Sequence, residues 1–127
     1  MTELQAAIHA FYSQFAKAYP EPVLTEKNAA FPYIVYDYRT AETMTTTLCT
    51  FQIWDKASHI TRLNGIADSI YKTVLGITGV IVPVVGDAPG YLKIMRSSPF
   101  IQSMPQNPSE MDLMRYIGNL EIKHFKL

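Results

Sequence analysis

Residues 45–56, "TTTLCTFQIWDK", decide the fold. β-Branched and aromatic side chains dominate this stretch, and the pattern predicts a strand. Thr47, Cys49, Phe51 and Ile53 fall on one face, and Leu48, Thr50, Gln52 and Trp54 on the other. Upstream, "PYIVYDYRT" (32–40) has the same chemistry, and only "AETM" (41–44) separates the two. So short a link predicts a turn and an antiparallel pair. In this first strand Ile34, Tyr36 and Tyr38 share one face, and Tyr33, Val35 and Asp37 the other.

Downstream, Asp55 or Ser58 is placed to cap a helix with the apolar stripe Ile60, Leu63, Ala67, Ile70 and Val74. Gly76 falls where a helix C′ glycine is expected. "GVIVPVV" (79–85) follows as a short strand, and Pro83 puts it at a sheet edge or bends it. "GDAPG" (86–90) is a turn signal, and "YLKIMRS" (91–97) a further strand. "DLMRYIGNLEIKHFKL" (112–127) closes the chain as a long strand. At the other end, Leu4, Ala7, Ile8, Phe11 and Phe15 mark an amphipathic helix with Thr2 as N-cap, ended by Pro20 and Pro22. The expected order is α-β-β-α-β-β-β. That is a single two-layer α+β domain over residues 1–127, with a mainly antiparallel sheet and two helices packed on one face.

The chain has 127 residues, 48% of them hydrophobic, enough for one domain with its own core. Eleven basic residues balance eleven acidic ones, which argues against a dedicated nucleic-acid binder. One cysteine, Cys49, rules out an internal disulfide and suits a reducing compartment. The N-terminus has no basic n-region, and the longest apolar run is too short to span a bilayer, so a soluble intracellular protein is expected. His9, His59 and His124 fit no metal-ligand spacing. "GDAPG" and "GITG" lack the spacing and the lysine of a phosphate loop, and there is no G-x-S-x-G elbow. The expectation is no catalytic residue, no metal, no cofactor and no enzyme. Trp54, at a strand end, either anchors a partner or packs over the sheet edge.

Three stretches carry a resemblance: "FPYIVYDY" (31–38), "TFQIWDKASHITRLNGIADSIYKTV" (50–74) and "GYLKIMRSSPFIQSMPQNPSEMDLMRYIGNLEIKHF" (90–125). In order and spacing they resemble the tail terminator (tail completion) proteins of long-tailed bacteriophages, also called minor capsid or tail-to-head joining proteins. The resemblance implies a structural virion protein without catalysis. It would form a ring, typically hexameric, that caps the tail tube, ends its polymerisation and joins tail to head. The implied partners are further copies of itself, the tail tube protein and a head completion or connector protein. No membrane and no sequence-specific nucleic acid is involved, although DNA passes through such a ring. The implied location is the head-proximal end of the virion tail, with assembly in the host cytoplasm. Residues matching the family pattern are Trp54, Arg96, Pro99, Phe100, Gln102, Arg115 and Tyr116, taken as candidates for subunit or partner contact.

The stretch 96–116, "RSSPFIQSMPQNPSEMDLMRY", fits such a contact. Phe100, Ile101, Met104, Met111 and Met114 are much apolar surface for a loop, and methionine adapts to irregular partners. Met104 therefore joins the candidate contacts. Prolines 99, 105 and 108 reduce the entropy lost on ordering, and Arg96 can fork onto a neighbour's carboxylate. Alternatively the stretch folds over its own sheet. Other readings are a different small connector of the same assembly, or a ligand- or peptide-binding module with Tyr36, Tyr38 and Trp54 lining a pocket. An enzyme using Cys49 and His124 comes last.

Overall fold

The computed structural model describes residues 2–20, 30–37, 46–76, 79–86, 89–104 and 112–126. The expected turn at 41–44, Tyr38, and residues 105–111 of the proline-rich stretch lie outside the described residues.

The chain is α+β, as its patterning predicts. Its elements are α1 (Glu3–Ser13), β1 (Lys17–Pro20), β2 (Tyr33–Tyr36), β3 (Thr46–Lys56), a 3₁₀ turn (Ala57–His59), α2 (Ile60–Thr73), β4 (Val80–Val84), β5 (Gly90–Met104) and β6 (Leu113–Lys126). They build a six-stranded sheet in the order β1-β2-β3-β6-β5-β4. The sheet is mixed, because β1 runs parallel to β2 while the other four pairings are antiparallel. This corrects the expected order by one strand. Proline was expected to end the first helix, but α1 stops at Ser13, well before Pro20. Ser13 Oγ donates to the His9 carbonyl and Gln14 Nε2 to that of Phe11, so side chains satisfy the last helical turn. Pro20 instead ends an edge strand, where a missing N–H costs no ladder bond.

Other local expectations stand. Thr2 caps α1, and Gln5 completes a capping box: Gln5 N–H donates to Thr2 Oγ1 at 3.2 Å, and Thr2 N–H to Gln5 Oε1 at 2.7 Å. β2 and β3 pair antiparallel, and β4 with Pro83 lies at the sheet edge. Asp55 and Ser58, however, do not cap α2, whose N-cap is His59, without a side-chain bond. Helix α2 buries Leu63, Ile66 and Ile70, adding Ile66 to the expected stripe. It ends on Val74 as C-cap, which places Gly76 one residue beyond the expected C′ position.

Alternation in β3 buries Cys49, Phe51, Ile53 and Asp55 and leaves Leu48, Thr50, Gln52 and Trp54 more open. Across the ladder, the same face carries Gly118, Leu120 and Ile122 of β6 and Leu92 and Ile94 of β5. The apolar stripes of α1 and α2 join the same buried cluster. Gly118 lies opposite Phe51, and a Cβ there would come within 2.1 Å of the ring. Glycine is what lets that ring lie flat across β6. Aromatic contacts thread this core. Tyr12 stacks on Tyr36 at 4.8 Å, Tyr12 meets Phe51 at 5.7 Å, Phe51 meets Phe100 at 6.4 Å, and Phe100 meets Tyr71 of α2 at 5.5 Å.

Candidate interaction surfaces

Strand register divides the expected contact residues between two places. Tyr33, Trp54 and Arg115 are successive partners across β2, β3 and β6. All three are half-buried on the sheet face opposite the core. Phe31 stacks on Tyr33 at 5.3 Å, Tyr33 on Trp54 at 6.3 Å and 17°, and the Arg115 guanidinium lies 4.9 Å from the Trp54 ring. The indole N–H donates to Gln52 Oε1 at 3.1 Å. Trp54 is therefore held, by its polar edge and by its neighbours, in a fixed orientation. Stacked in series, the inner rings spend their π faces on each other and on the guanidinium. Among the described residues, Arg115 has no carboxylate partner.

The second place lies beside α2. The Arg96 guanidinium sits 5.4 Å from the Tyr71 ring centroid, and its Nη1 donates to the Tyr71 hydroxyl at 3.0 Å. Tyr116 donates its hydroxyl to Asn64 of α2. Phe100 packs between Phe51 and Tyr71, half-buried against its own core. Phe100 and Ile101 are thus partly covered by their own core, as the fold-over alternative expects, and each keeps a half-exposed surface. The ladder shifts register between Arg96 and Ile101, and this irregularity brings Phe100 onto the core. The Pro99 carbonyl accepts from Asn119 Nδ2 at 2.9 Å, so Pro99 shapes that irregularity. Gln102 is exposed and pairs with Ile117. Met104 pairs with Arg115 along the backbone, and its side chain lies outside what is described.

The alternative sites do not assemble. Tyr36 is fully buried in the core, whereas Trp54 lies on the opposite face, so the two line no common pocket. Cys49 is paired with Leu120, and His124 lies further along β6 opposite Leu92. At strand spacing that is roughly 13 Å. Among the described residues no three His, Cys, Asp or Glu side chains gather to hold a metal ion, and no helix is long and apolar enough to cross a membrane.

Among the described residues, Asp55 and His124 have pKa values lowered by their surroundings. Burial alone would raise the Asp55 carboxyl. The Arg62 guanidinium, donating to both its oxygens at 2.7 Å, and the Lys56 backbone N–H at 2.7 Å outweigh that and lower it. This forked pair ties the end of β3 to the first turns of α2. His124 is buried with Nε2 unpartnered among the described residues. Burial first, and then the Lys126 charge, lower its pKa.

Sequence patterning missed Tyr33, Tyr71, Arg62 and Asn64 as partners of the expected residues. The only available signal was cross-strand register, which the sequence leaves open. Compared with known proteins, the chain matches no family model, no curated protein and no solved structure. The phage resemblance therefore rests on the residues quoted for it.

Proposed function

We propose that this chain is a non-catalytic structural protein of a long-tailed phage virion, a tail terminator. It assembles head-to-tail into a ring, taken as hexameric, that caps the tail tube and receives the head completion protein. In this reading both helices form one layer and the sheet the other, which leaves the sheet's outer face for contact between copies. The observation that supports it is the Phe31–Tyr33–Trp54–Arg115 stack. Trp, Tyr and Arg are the residues that dominate binding energy where proteins meet. A guanidinium pre-set on an indole, with no carboxylate of its own among the described residues, suits a neighbour that supplies one. A repeated head-to-tail contact closes into a ring when its rotation allows.

Sizing by light scattering across concentration, with electron microscopy of the particles, tests this. Assembly should rise with concentration and fail in Trp54→Ala and Arg115→Glu, while circular dichroism stays native. A wild-type chain that remains monomeric at high concentration, and forms no cap on supplied tail tubes, would sink the proposal.

A further inference from the structure

The irregularity in β5 encloses something the assembly reading does not use. Residues 97–100 have no partners in the β5–β6 ladder. Beside them lies an open cavity of about 300 Å³ whose lining, among the described residues, is Arg96, Ser97, Ser98 and Phe100. We propose that this cavity is a carboxylate-binding site, with Arg96 as its cation and an Asp or Glu side chain of a second copy of this chain as its occupant.

Arg96 is positioned before any ligand arrives. Its guanidinium lies on the Tyr71 ring and gives one N–H to the Tyr71 hydroxyl. A guanidinium has five N–H donors in a planar fork, so most remain available. Among the described residues no carboxylate pairs with it. Lys72, next to Tyr71 in the chain, is paired with Asp68 at 2.9 Å and adds no free charge. Ser97 and Ser98 line the same cavity, and each carries a hydroxyl able to donate.

Charge balance among the described lining residues points to the ligand. Their one cation matches one negative charge, so a carboxylate is neutralised, whereas a phosphate dianion would keep an unmatched charge beside an aromatic wall. A fork meets a carboxylate through two parallel hydrogen bonds. Phe100 gives the methylenes of an acidic side chain an apolar wall. Only the source of the carboxylate, another chain, rests on the assembly reading; the site itself does not.

The test is a titration of the isotope-labelled full chain with sodium acetate, sodium phosphate and sodium chloride at equal ionic strength. The signals followed are the Arg96 side-chain N–H and the Ser97 and Ser98 amides. Acetate should give saturable shifts that chloride does not, and Arg96→Gln should weaken acetate binding about tenfold or more. Arg96→Lys, which keeps the charge and loses the fork, should fall between. Equal shifts with chloride, tighter binding of phosphate, or unchanged acetate binding in Arg96→Gln would overturn the site. Sizing then identifies the source. Natively folded Arg96→Gln should assemble less well, and acetate should compete with wild-type assembly. Acetate binding with assembly unaffected would overturn the polypeptide source and leave the ring proposal standing on Trp54 and Arg115.

Discussion

Single side chains in this core carry separable and opposite effects. The Tyr12 hydroxyl is fully buried without a partner among the described residues, and burial raises its pKa well above the ordinary value. Tyr12→Phe keeps the stack on Tyr36 and removes the unsatisfied oxygen. It should leave stability unchanged or raise it by about 1 kcal/mol, measured by urea unfolding. Gly118→Ala should do the reverse. Its new Cβ meets the buried Phe51 ring, and overpacking of this kind costs about 1–3 kcal/mol. His124 sets a pH dependence. Its folded pKa is lowered, so the unfolded chain binds the proton more readily. Its contribution is complete above about pH 6.5 and declines as the pH falls from there through the lowered folded value. Thermal unfolding should show that slope in the wild type, and His124→Leu should flatten it.

At the level of elements, the Asp55–Arg62 fork joins β3 to α2. Asp55→Ala should destabilise by about 1.5–3 kcal/mol, the worth of hydrogen bonds to a charged group. Because the folded carboxyl is lowered, its contribution is present above about pH 4 and is lost as acid protonates it. Acid unfolding of the wild type, but not of Asp55→Ala, should therefore steepen below that pH. The same joint shows what the sequence made legible. Alternation in β3 and the period of α2 located both elements and nearly all their buried positions, because period reports burial directly. Asp55 looked like a helix cap because strand and cap share one acidic residue type next to a helix. Alternation, followed two residues past Ile53, points its side chain inward. β1 escaped notice because Lys17–Pro20 has weak strand propensity and is held by its pairing with β2. Of the candidate contacts, Trp54 and Arg115 do meet, but nothing in the chain announces that residues 54 and 115 are opposite each other. Phe100 shows why a contact residue is hard to read from the chain: core and interface use the same residue types, and its side chain is half in the core.

For the whole molecule, the two expected contact regions separate cleanly into assays. Trp54 and Arg115 answer for the outer sheet face, and Arg96 for the cavity beside α2. A double variant of the milder Trp54→Phe with Arg96→Gln should weaken assembly by the sum of the single effects, since the two lie on different faces and share no partner. Sheet order has a further bearing. β6, which follows the other five described strands in the chain, lies between β3 and β5. A ribosome that has released every residue up to Asp112 has made two half-sheets with their central ladder missing. Until β6 emerges, the two halves lack the strand that joins them, so the central ladder closes late, through pairings far apart in sequence.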